Sequence, residues 1–190
     1  MDNPIKRKKH KSIIIGLILV FLFVAGTVLA FLAVYITQNH ISETKRYNEQ
    51  YKSADNAVML HLAAVMDGTS SDGLSYVAKN RNTALKEIEQ SREAVDYFAG
   101  IDPPRRLSSE MYAIKKSEDS ERAYLNAAEK VFRAETESQL EDGLSAVKQS
   151  DTAKNPRNRF SNAVADFMKR LEQLTSSKYK DEDDPVFIWL

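Results

Sequence analysis

The chain has 190 residues, no cysteine, and 27 Lys/Arg balanced by 27 Asp/Glu. The lack of cysteine excludes disulfides, thiolate metal sites and a lipidated cysteine anchor, and the balanced charge offers no broad basic field for nucleic acid. The charges are unevenly placed, however: residues 1–12 carry five Lys/Arg and one Asp, a net of +4, which leaves the remainder at −4.

Residues 13–36 read IIIGLILVFLFVAGTVLAFLAVYI, 24 residues without a charge. At about 1.5 Å per residue such a helix is about 36 Å long, enough to cross a hydrocarbon core of about 30 Å. A secretory signal is the rival reading, with small residues near Val28-Leu29-Ala30, but a signal h-region ends after about 15 apolar residues and this run continues. The expectation is therefore an uncleaved anchor over 13–37. The basic tail 1–12 stays in the cytoplasm, and everything from residue 38 lies outside the cell membrane. Residues 38–180 are expected to form one extracytoplasmic domain and 181–190 a separate tail. An extracytoplasmic domain without disulfides, and without an N-x-S/T acceptor, suits a bacterial cell envelope.

Gly and Pro are scarce, six and five, and fall where helices would join. Tyr47, Tyr51, Ala54, Val58, Leu62 and Val65 recur at three- and four-residue steps, which predicts a first outer helix over 41–66. Residues 67–73 read as a turn. Leu74, Val77, Ala84, Ile88, Val95 and Phe98 then keep a seven-residue repeat over 74–99, with Arg81 and Ser91 in the same seam. Gly100 ends that helix, and Asp102-Pro103-Pro104 opens a third over 104–135 as N-cap and first turn. Its centre, KKSEDSER at 115–122, lacks any large apolar residue, which predicts either full exposure or the wall of a polar cavity. A fourth helix, from Leu140 to Leu174, is broken by KQSDTAKNPRNR, with Asn155-Pro156 as a new cap. No run alternates with period two over a strand's length. The fold class expected is all-α, a single N-terminal transmembrane helix followed by an antiparallel four-helix-bundle-like domain.

Chemistry is sparse. Three histidines, His10, His40 and His61, fall far apart in sequence, and HExxH, GxSxG, Walker A and GxGxxG patterns are absent. No enzyme activity, cofactor or metal is expected, and no nucleic-acid partner. If the first two outer helices form a hairpin, Arg81 lies near His61, where the pair could grip a carboxylate or phosphate. The ordinary alternative is an arginine whose stem packs and whose head reaches water. Tyr47, Tyr51 and Tyr76 are read as filling bundle ends or an interface. Within the membrane, Gly26, Ala30 and Ala33 form a small-residue face suited to a homodimer. At the far end, Asp181-Glu182-Asp183-Asp184 precedes Phe187-Ile188-Trp189-Leu190, a tail that docks a partner, folds back on the bundle or forms a mobile end.

The layout is similar to the ligand-binding half of bacterial chemoreceptors and sensor kinases, in which a membrane helix leads into a helical bundle; their second membrane segment and cytoplasmic output have no counterpart in this sequence. Type IV pilins also begin with an apolar helix, but their glutamate near the mature start is missing from SIIIGLILVF. No family is assigned. The function expected is a membrane-anchored, non-enzymatic module that binds another envelope protein. A small-molecule sensor or binding accessory acting through a membrane partner is the alternative.

Overall fold

The computed structural model describes residues 4–102, 105–150 and 158–175. These are helical almost throughout. Five α-helices, α1 (Pro4–Met66), α2 (Ser70–Gly100), α3 (Ser108–Arg133), α4 (Glu137–Ser150) and α5 (Asn158–Thr175), are joined by short connections, and a 3-10 turn (Arg105–Leu107) precedes α3. No strand occurs among the described residues. The chain divides into two units, with the boundary between Ile41 and Ser42.

In the first unit, α1 exposes large apolar side chains around its whole circumference, among them Leu17, Phe21, Phe23, Leu29 and Phe31. A helix apolar on every side has no polar face to offer water. Among the described residues, it is the one helix long and apolar enough to cross a membrane.

In the second unit the remainder of α1 packs on α2, and cross-contacts fix the pair as antiparallel. Thr44 and Tyr97 share a hydrogen bond at 2.9 Å, Gln50 donates to the Gln90 carbonyl and to Glu93 at 3.0 Å each, and His61 meets Tyr76 at 2.8 Å. The turn between them is shorter than the sequence suggested. Thr69 is the N-cap of α2, its hydroxyl accepting from the Asp72 amide while the Asp72 carboxylate accepts from the Thr69 amide. That reciprocal capping box draws residues 70–73 into the helix. Gly73, now inside α2, permits a close approach, since a Cβ there would stand 3.1 Å from both the Val65 carbonyl oxygen and Leu140.

α3 runs antiparallel to α2. Arg92 pairs with Glu129, and Arg122 reaches Asp96 at 2.5 Å and Glu118 at 2.8 Å. α4 crosses back over α3 with Gly143 seated on the Val131 backbone. α5 brings Phe160 edge-on to Tyr51 and Phe167 edge-on to Phe98, with ring centroids 5.3 and 6.3 Å apart. The expected broken fourth helix is thus two helices, while its joint at Asn155-Pro156 lies outside the described residues, as does Pro103-Pro104. The core gathers Val58, Val77, Ala84, Phe98, Ile114, Leu125, Phe132, Phe167 and Leu171, all essentially inaccessible.

Candidate functional site

Three polar clusters sit inside the second unit. The first is built on His61 of α1. Its Nδ1 lies 2.8 Å from the Tyr76 hydroxyl, and its Nε2 lies 3.1 Å from Glu87 Oε2. Tyr76 and Glu87 are both on α2, eleven residues apart, and their side chains converge on one imidazole. The Glu87 contact has ion-pair distance but not hydrogen-bond alignment, so that buried oxygen has no hydrogen-bond partner. The edge of the Phe132 ring closes the site at 6.0 Å. A hydroxyl, an imidazole and a carboxylate in series have the outline of an activated nucleophile. Acyl or phosphoryl chemistry would further need a cationic or N–H group aimed at developing charge.

Arg81, which the sequence placed beside His61, serves elsewhere. Its Nε donates to the Phe132 carbonyl at 3.1 Å and its Nη2 to the Ala134 carbonyl at 2.9 Å, while Nη1 lies 3.8 Å from Glu135. These carbonyls belong to the end of α3, which has no following turn to satisfy them. A guanidinium there caps the helix and complements its dipole. Arg81 also floors a shallow depression of about 420 Å³ lined by Ser71, Leu74, Ser75, Ala78, Ala134 and Glu135. The sequence-predicted pair therefore comes to the same neighbourhood through Phe132, and each member is engaged by protein groups.

The third cluster is a buried polar layer nearer residue 42. Glu121, 0 % exposed, accepts a hydrogen bond from the Tyr51 hydroxyl at 3.0 Å. Ser117 is buried one turn earlier and donates back to the Ala113 and Ile114 carbonyls. Asn48 Oδ1 and Ser91 Oγ are buried without hydrogen-bond partners among the described residues. Burial holds the nearby Tyr97 hydroxyl above the ordinary tyrosine range, against the opposing hydrogen bond with Thr44. The segment 115–122 thus does both things expected of it. Ser117 and Glu121 turn inward, whereas Glu118 and Arg122 join an ion-pair ladder at the α2–α3 surface. Burial weakens the charge on Arg122, but its bonds to Glu118 and Asp96 outweigh this and leave its pKa raised.

Sequence reasoning passes over Asn48 and Tyr97, and reads the carboxylate pairs Glu87/Glu89 and Glu118/Glu121 as solvated helix faces, whereas Glu121 is fully buried. The available signal was the frame of α1. Thr44, Asn48, Tyr51 and Asp55 continue, at the same three- and four-residue steps, the stripe that Val58, Leu62 and Val65 occupy. Tyr47, which was read into that stripe, is only partly buried and stacks on Tyr97 at 4.0 Å, with the Arg46 guanidinium 4.6 Å from its ring centroid.

Of the predicted small-residue face, Gly26 and Ala30 are open, with nothing within 4 Å of a Cβ placed on Gly26, but Ala33 is buried. The three do not share one exposed surface. The proposed docking tail, Phe187, Ile188, Trp189 and Leu190, lies outside the described residues. No group of three or more metal-ligating side chains occurs among the described residues. No protein-family model, curated protein or solved structure matches the chain.

Proposed function

We propose that the chain is a membrane-anchored, non-enzymatic docking module whose antiparallel four-helix bundle stands outside the membrane of a bacterial envelope and binds another protein. One observation carries the docking half of this reading. The polar groups that would serve a ligand or a reaction, His61, Arg81 and Glu121, are each engaged by the fold, while α1 presents apolar side chains outward at Met59 (36 % exposed), Leu60 (64 %) and Met66 (46 %). Met59 and Met66, seven residues apart, share one face of α1, with Leu60 about a quarter-turn away, and exposed apolar side chains that lie close together mark an interaction surface more often than isolated ones do. Anchoring is supported by the uncharged run and by its all-round apolar exposure.

Two measurements test it. Since the chain has no cysteine, Ser138→Cys and Ser12→Cys each give a single thiol; a membrane-impermeant maleimide added to intact cells should label the first and reach the second only after permeabilisation. The reverse pattern refutes the orientation. A photo-crosslinking residue at Leu60 should give a discrete protein adduct in cells. Adduct formation with lipid alone, or equal yield from a crosslinker at Lys86 on α2, refutes the docking face.

The sensor reading keeps one observation in its favour, the partnerless buried oxygens of Asn48 and Ser91. It requires a small polar molecule to raise the unfolding midpoint of wild-type chain and to lose that effect in Ser91→Ala.

A further inference from the structure

Exposed charge is unevenly placed along the second unit. At the end formed by the α1–α2 turn and the start of α4, Asp67, Asp72, Glu135, Glu137, Glu141 and Asp142 are all exposed, and residues 66–73 and 134–142 contain no Lys or Arg. The two segments meet there, with the Ser70 hydroxyl 3.2 Å from Glu141. At the opposite end the start of α3 carries a group of exposed cations, with exposed Asp102 and half-buried Glu110 among them. Arg105, Arg106, Lys115 and Lys116 are exposed around Tyr112, which is itself 69 % exposed. Lys115 and Lys116 follow Tyr112 by three and four residues and so share its face. On the α5 side, Lys169 and Arg170 line a groove of about 430 Å³ together with Ser109, Glu110 and Asp166, so the charges of the groove balance.

Position adds to charge. The Arg122–Asp96 contact fixes the register of α2 and α3. α2 runs only four residues past Asp96, to Gly100, whereas α3 begins fourteen residues before Arg122. The start of α3 therefore overhangs the end of α2 by ten residues, about 15 Å at 1.5 Å each. α1 enters the domain at this same end, where Thr44 meets Tyr97. Only five residues, 37–41, lie between Ile36, the last of the apolar run, and Ser42, a span of six Cα–Cα steps. Six such steps reach at most about 21 Å, so chain connectivity alone keeps Ser42 within that distance of Ile36. A headgroup layer about 5–8 Å thick occupies part of that distance.

We propose that the overhanging start of α3 is a docking surface for anionic phospholipid headgroups, with Arg105, Lys115 and Lys116 meeting phosphate and Tyr112 entering the interface. The inference rests on the anchored reading above. Lys and Arg near a charged bilayer are attracted within about a Debye length, roughly 10 Å at 0.1 M salt. Tyrosine, with an apolar ring and a polar tip, is suited to the headgroup level. The acidic end, repelled by the same surface, then points away. Lipid charge would thus set the tilt of the domain and which of its faces a partner meets.

The test uses the full chain in lipid nanodiscs, made of phosphatidylcholine alone or with added phosphatidylglycerol. An environment-sensitive dye is attached to Ser108→Cys, one turn before Tyr112, and a reference dye to Ser138→Cys at the acidic end. The Ser108 dye should shift to the blue only in anionic discs and should return on adding salt; the reference dye should not respond. Replacing Arg105, Lys115 and Lys116 together by Gln should abolish the shift with disc incorporation and helicity unchanged. Because the salt reversal uses the wild-type charges, the proposal stays exposed to refutation if that triple variant misfolds. Equal emission in both discs, or a shift that survives salt, overturns the proposal. So does the same shift produced by inorganic phosphate in neutral discs, which would assign the surface to free phosphate. Recovery of the chain outside both kinds of disc would instead refute the anchor, and this proposal with it.

Discussion

Gly143→Ala sets two effects of known size against each other. Gly143 lies inside α4, where replacing glycine by alanine favours the helix by about 1 kcal/mol through lost unfolded-state entropy. A Cβ at this position, however, would stand 2.9 Å from the Val131 amide nitrogen, 3.0 Å from its Cγ2 and 3.1 Å from its Cα. Two of those three atoms are backbone, so no rotamer change relieves the contact and α4 must lift from α3. Forcing an extra carbon into a packed interface costs about 1–3 kcal/mol, and a backbone obstacle belongs at the upper end. The expected outcome is a net loss of about 1–2 kcal/mol, a midpoint lower by about 4–8 °C for a domain of this size. Gly100→Ala is the control. It ends α2, and nothing lies within 4 Å of its added Cβ, so only the propensity effect acts and the midpoint should hold or rise slightly. Thermal unfolding of the full chain in detergent, followed by far-ultraviolet circular dichroism, measures both. If Gly143→Ala stabilises as much as Gly100→Ala, the close α3–α4 approach does not exist and the placement of α4 is wrong.

Other consequences are as direct. Tyr51→Phe removes the donor to a fully buried carboxylate and should cost about 1–3 kcal/mol in a denaturant titration; a neutral result would mean that the Tyr51–Glu121 bond does not form. Arg81→Met should speed amide exchange in the last turn of α3, and Arg81→Lys should fail to restore it, because a single ammonium cannot reproduce the fork that reaches Phe132 and Ala134. Unchanged exchange in Arg81→Met would refute the capping role. The hydrogen bond from Arg92 holds the Glu129 carboxyl below its ordinary range, against the opposing effect of burial and with help from Arg133. A carboxyl depressed on folding stabilises the native state above its unfolded pKa and loses that contribution as pH falls through the folded value. Arg92→Met should accordingly flatten the acid limb of stability against pH, whereas wild-type and variant curves that stay parallel would show that the pair contributes nothing.

What the sequence made legible followed from local pattern. The uncharged run, the seven-residue repeat of α2 and the interruption of the fourth helix each depend on neighbours within a few turns. The 67–73 turn was overdrawn because Thr69 and Asp72, both common turn residues, are here the two halves of a capping box. The role of Arg81 depends on where α3 ends, some 50 residues away, and no spacing near Arg81 encodes that. The acidic end of the second unit became visible only once the fold had brought the 66–73 and 134–142 segments together.

The polar layer was missed for a different reason, which bears on how the domain holds its shape. A search for apolar stripes equates burial with hydrophobicity, yet along α1 the helical frame decides burial and residue chemistry changes within it. The inward positions are Thr44, Asn48, Tyr51 and Asp55 toward residue 42, then Val58, Leu62 and Val65 toward the turn. Apolar packing tolerates exchange among side chains of similar volume, whereas a buried hydrogen bond is satisfied in few geometries and is costly elsewhere. The half near the turn is held by packing of these apolar positions, with the His61–Tyr76 bond beside them. The half near residue 42 is held by directional bonds, Thr44 to Tyr97 and Tyr51 to Glu121. Any movement of α1 against α2 or α3 would have to break those bonds, so this half fixes the register of the helices.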